Sequence, residues 1–200
     1  MLNTPARKTF TTANITRIAV LAALSAILFL IEIPVVAFYK LDLSNLPALL
    51  GGFAMGPLPG LIILLIKDLT GMLHSSSMYV GELADFIMGA ALVLPAAVIY
   101  RLNRTRKGAL IGMLVGTVVA IVAAVIVNWQ IMLPFYSNAF GMPMEAVVGM
   151  AQKAVPAVDS VWKLLLMVTA PFNLLKGAVL SLLTGLLYKR LSPLLHGRRG

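Results

Sequence analysis

Long apolar runs separated by short polar breaks dominate this chain. The first run, Ile18 to Tyr39, is interrupted only by Glu32. A bilayer is crossed by about 20 apolar residues, so this run qualifies as a span. It is too long for a signal peptide, no small-x-small site follows it, and further runs come after it. Leu83–Tyr100, Ala109–Leu133 and Leu164–Tyr188 are equally plain. Leu46 to Ile66 reads as one span by hydropathy, but Gly56-Pro57-Leu58-Pro59-Gly60 sits in its middle and predicts a break.

Charge decides between one span and two. The basic clusters are Arg7/Lys8/Arg17, Arg101/Arg104/Arg106/Lys107 and Lys189/Arg190/Arg198/Arg199. A turn at Gly56–Gly60 gives six spans and puts all three clusters on one side, as the positive-inside rule requires. The expected fold is therefore all-α and membrane-integral, with six transmembrane helices and both termini cytoplasmic. The spans fall at about 17–39, 46–56, 57–73, 83–100, 109–133 and 162–188, in one domain over residues 1–200. Short Gly/Pro-interrupted segments of this kind tend to lie beside transporter binding sites.

Composition sharpens this picture. Apolar residues make up 60% and charged residues 12%, with a mean hydropathy of +0.96, which excludes a water-soluble globular domain. The net charge of +9 is an orientation signal, not a nucleic-acid surface, because no basic face interleaves with aromatics. All seven acids (Glu32, Asp42, Asp68, Glu82, Asp85, Glu145, Asp159) are expected in the outer half with five basic residues, Lys176 among them. Tyr100 and Tyr188 are assigned to the inner interfacial belt, and Tyr39, Tyr136 and Trp162 to the outer one. With no cysteine there is no disulfide or thiol chemistry.

No P-loop and no H-E-x-x-H motif is present, and His74 and His196 fall on opposite sides, so neither ATP hydrolysis nor a metal site is expected. Ser75-Ser76-Ser77 reads as a loop. Polarity inside the spans is more informative. Lys176 lies midway between Lys163 and Lys189, where an ammonium costs about 2.5–3.5 kcal/mol and needs an interior partner. Asn173 shares its face, Pro171 frees a nearby carbonyl, and Asn128 sits in the fifth span. Two amides and an ammonium suit a planar, heteroatom-rich ligand; the alternative is that they only bond one another and fix packing. Glu82 and Asp85 open the fourth helix, where a carboxylate either favours the helix N-terminus or meets ligand. Ala19, Ala22, Ala23 and Ala26 form a small-residue stripe on the first helix, suited to close helix approach.

The residues that follow carry a resemblance over nearly the whole chain. They are Lys40-Leu41-Asp42-Leu43-Ser44-Asn45-Leu46-Pro47 running into Gly51-Gly52-Phe53-Ala54-Met55-Gly56-Pro57, then Gly81-Glu82-Leu83-Ala84-Asp85-Phe86, Asn128 ahead of Leu133-Pro134-Phe135-Tyr136, Pro171-Phe172-Asn173-Leu174-Leu175-Lys176-Gly177 and Leu187-Tyr188-Lys189-Arg190. This set resembles the riboflavin-binding S components of energy-coupling factor (ECF) vitamin transporters. Asp85 departs from the family pattern, which favours asparagine there.

The resemblance implies a non-enzymatic, multi-pass subunit in a prokaryotic plasma membrane that binds riboflavin near the outer face. Asn128, Asn173 and Lys176 would bond the ring edge, and the loop Lys40–Pro47, with Leu41, Asp42 and Leu43, would close over it. Asp42, Glu82 and Asp85 would be candidates for the ribityl chain. The alanine stripe would dock a transmembrane coupling subunit, and two partner ATPases would use the ATP; no cofactor is expected on this chain. FMN or another vitamin is the alternative ligand. A membrane-embedded enzyme or a self-sufficient secondary transporter are readings from other classes, the first needing a base, nucleophile or metal site that the sequence does not offer.

Overall fold

A computed structural model describes residues 11–36 and 39–196. Arg7, Lys8, Arg198 and Arg199 of the charge argument lie outside them. Helix α1 spans Thr12–Phe29, and the Thr11 hydroxyl caps it by accepting from the Asn14 amide. The expected first span ran on to Tyr39; the helix instead stops ten residues short. Residues Ile33–Val36 (β1) and Tyr39–Leu41 (β2) form an antiparallel ribbon, with Ile33 opposite Leu41 and Pro34 opposite Lys40. Pro34 cannot donate to a helical ladder, and its neighbours Ile33, Val35 and Val36 are β-branched and stiff in extended backbone. Glu32 and Lys40 pair across the ribbon.

The break predicted near residue 56 is present. Helix α2 (Asn45–Met55) ends at Gly56, whose φ of 107° admits no ordinary side chain without strain, and α3 (Pro57–Gly71) starts on Pro57. The two helices return against each other closely: a Cβ on Gly60 would stand 3.1 Å from Gly52 Cα and from the Ala48 carbonyl oxygen. Helix α4 (Val80–Leu102) then turns through Asn103–Thr105 into α5 (Arg106–Val127), capped by Thr105. Gly112 and Gly116 lie directly against the Ala96 and Leu92 carbonyls of α4, so that glycine pair serves internal packing.

Helix α5 does not stop at Val127. It continues through a π-helical turn, Asn128–Met132, into α6 (Leu133–Ala139). After α7 (Met144–Ala154) and the short α8 (Val161–Leu164), a second π-helical turn, Leu165–Thr169, leads into α9 (Ala170–His196). Each wide turn contains the residue four positions before a proline: Gln130 before Pro134, and Met167 before Pro171. The pyrrolidine ring clashes with that carbonyl, and a wider turn relieves the clash.

Among the described residues, five helical segments are long and apolar enough to cross a membrane: Thr12–Phe29, Pro57–His74, Val80–Leu102, Arg106–Ala139 and Val161–Tyr188. Asn45–Met55 is apolar but shorter. Ile27 on α1, Leu114 on α5 and Leu182 on α9 face outward, which suits lipid and not water. One core cluster, including Leu49, Ile63 and Val93, fills the α1–α4 bundle; a second, including Tyr39, Leu133 and Leu165, sits under the ribbon.

Candidate functional site

Between the ribbon, α4 and α9 lies a cavity of about 250 Å³. Polar groups from four parts of the chain converge on it. Lys176, on α9, donates to Asp42 Oδ2 at 2.8 Å and lies 3.5 Å from Asp85 Oδ1. Asp42 is held by Ser44, whose amide donates to its other oxygen at 2.9 Å and whose hydroxyl bonds the same atom. Asp85, on α4, turns its second oxygen to Lys67 of α3. Lys67 is fully buried and also meets Asp68 at 3.0 Å, Asn45 Oδ1 at 3.2 Å and the Phe29 ring at 4.9 Å. The order Lys67–Asp85–Lys176–Asp42 is thus a continuous line of alternating charge inside the ribbon end of the bundle. Each charge there has an opposite neighbour, without which its desolvation would cost several kcal/mol.

The amides form a second wall. Asn128 opens the first π-turn and donates from Nδ2 to the Ala124 carbonyl at 2.8 Å. Asn173 donates to the Thr169 carbonyl at 2.9 Å, on the last residue of the second π-turn. These bonds to residue i−4 fix both amide planes, leaving each a second N–H and Asn173 an acceptor oxygen for the cavity. Tyr39 joins the two walls: its hydroxyl reaches Asn128 Oδ1 at 3.3 Å and bonds Thr169 Oγ1, and its ring lies 5.1 Å from that of Phe172. Burial raises the Tyr39 pKa to about 12, so the hydroxyl stays protonated at physiological pH. Glu82 closes the rim, accepting from Ser75 at 2.8 Å and Ser77 at 3.2 Å.

The substrate-specific component family of ECF transporters matches residues 13–188. The chain belongs to that family. Over 181 residues it is 32% identical to the riboflavin transporter RibU of Staphylococcus aureus (strain TCH60), covering 89% of each chain. The riboflavin transporter FmnP of Bacillus subtilis (strain 168) is 26% identical, covering 91% of this chain and 93% of that one. A solved structure described as the S component of a bacterial ECF transporter matches with a TM-score of 0.71 and 31% identity, covering 93% of this chain and 99% of the other.

In this S component, Asn128, Asn173, Lys176, Asp42, Glu82 and Asp85 all line the cavity. Leu41 and Leu43 do not: Leu41 packs into the core under the ribbon and Leu43 into the α1–α4 core. Lys176 finds its partners in Asp42 and Asp85, while Asn173 is engaged with backbone. Asp85 holds two lysines at once.

Tyr39 and Tyr136 correct the expected outer belt, since both line the cavity and Tyr39 is 8% exposed. Tyr100 and Tyr188 bond each other at 3.1 Å and pack on Phe53, while Trp162 is exposed beside Trp129. Ser75 and Ser77 do more than form a loop, for they anchor Glu82. Of the alanine stripe, Ala19 and Ala23 are exposed, Ala26 is half-buried, and Ala22 is buried in the core. Lys67 and Tyr39 were missed from sequence. A signal for Lys67 was present: a lysine ten residues past Pro57, within the span expected at about 57–73.

Proposed function

We propose that this chain is the riboflavin-binding subunit of an ECF-type importer. It takes the vitamin from the outer face of a prokaryotic plasma membrane and delivers it with a coupling subunit and two ATPases. The names of the relatives support the ligand, and the convergence of Asn128, Asn173 and Lys176 on one cavity is the observation that carries it. Both amides and the ammonium can donate and Asn173 can also accept, which matches the mixed edge of an isoalloxazine ring. Asp42, Glu82 and Asp85 offer acceptors to a polyhydroxylated chain. The reading includes six spans with α2 as the sixth, one domain, cytoplasmic termini, and docking of the coupling subunit on Ala19, Ala23 and Ala26 of α1.

Electrostatics favours riboflavin over FMN. The cavity lining carries the carboxylates Glu32, Asp42, Glu82 and Asp85 against the ammonium groups Lys40 and Lys176. A phosphate would enter a site with an excess of negative charge.

Protein purified in mild detergent is expected to be yellow, with flavin absorbance. A colourless preparation that also leaves the fluorescence of added riboflavin unquenched rejects the proposal. Lys176→Ala and Asn128→Ala are each expected to weaken binding by about 1–3 kcal/mol in titration calorimetry, as for a lost buried partner. Unchanged affinity in both removes these residues from the site.

A further inference from the structure

We propose that the groove between α5 and the C-terminal part of α9 binds one anionic phospholipid, headgroup on Arg104 and Arg106. The groove encloses about 530 Å³ at the end of the bundle opposite the ribbon site. Its floor is apolar and aromatic, with Phe53, Tyr100, Met113 and Tyr188. Leu110 lines its α5 side and is largely exposed, so the groove opens onto the face of the bundle that meets acyl chains.

Three observations point to a ligand. Arg104 and Arg106 lie at one end, flanking Thr105 where α5 begins, and no ion pair engages either among the described residues. Guanidinium groups beside an apolar trough between spans match a phosphodiester attached to acyl chains. The Thr184 side chain borders the groove and is fully buried, and its hydroxyl has no hydrogen-bond partner among the described residues. A buried hydroxyl without a partner is costly, and rotation of this side chain toward the groove would let an ester carbonyl of the lipid satisfy it. Gly185 also lines the groove, and a Cβ placed there meets nothing within 4 Å, so the room is real at that position. A soluble phosphate would use the arginines and leave the apolar wall and Thr184 unserved. The site is separate from the ribbon cavity and does not depend on which vitamin that cavity takes.

Thermal unfolding in detergent tests this with phosphatidylglycerol, phosphatidylcholine and glycerol 3-phosphate as probes. Phosphatidylglycerol is expected to raise Tm by several degrees more than phosphatidylcholine, and glycerol 3-phosphate to leave it unchanged. The doubly substituted Arg104→Gln/Arg106→Gln protein should lose that difference. Gly185→Leu fills the trough without altering any charge and replaces a poor helix former with a good one, so it should fold and also lose the difference. Equal shifts with the two lipids overturn the proposal, as does a Gly185→Leu protein that keeps the difference, which would reduce the effect to surface charge. A full response to glycerol 3-phosphate overturns it in favour of a bare phosphate site.

Discussion

Lys67 and Lys176 are both lysines within apolar helices, yet only one was conspicuous in the sequence. Lys176 stands alone at the centre of its run, where its cost is plain. Lys67 is followed at once by Asp68, and adjacent opposite charges after a run of leucines and isoleucines look like a solvated helix end. The structure gives Lys67 four polar neighbours and no exposure. Truncating it strands Asp68 in low dielectric and leaves Asp85 with Lys176 alone. Lys67→Met is therefore expected to destabilise the protein by about 3–5 kcal/mol, the cost of breaking one side of a buried pair. Thermal unfolding in detergent checks this, and an unchanged Tm would show that the carboxylates find other partners. Tyr39 was hidden for a different reason: a tyrosine near a span end is ordinarily interfacial, and only the ribbon turns this one inward.

At the scale of elements, hydropathy located five helical segments long and apolar enough to cross a membrane, because lipid demands continuous apolar runs, and Gly56 with Pro57 located the α2–α3 turn because few other residues tolerate it. Hydropathy did not separate α1 from the ribbon, since Ile33-Pro34-Val35-Val36 is as apolar as the helix before it. Only proline and β-branching distinguish the two. Nor did it show the π-turns, which arise from proline sterics acting one turn upstream. The outward alanines of α1 belong to this scale too. Ala23→Leu should leave ligand affinity intact and impair uptake in cells, because a bulky side chain blocks close approach of a partner helix. Full uptake by that variant would free this face from docking.

For the whole molecule, the distribution of charge bears on the choice of ligand. The net charge of +9 conceals a site lined by more carboxylates than ammonium groups. Competition binding should rank riboflavin above FMN at neutral pH, and equal affinities would show that the bound phosphate lies beyond the carboxylates. The line of charge through the interior has a further consequence for biogenesis. Lys67 enters the membrane already beside Asp68, so α3 carries its own counter-charge. Asp42 must wait for Lys176, 134 residues later, which at usual synthesis rates is roughly ten seconds. Until its last helix arrives, the nascent bundle holds Asp42 on the Ser44 amide and hydroxyl alone, without its ammonium partner. A chain truncated before α9 keeps Asp42 without a counter-charge permanently.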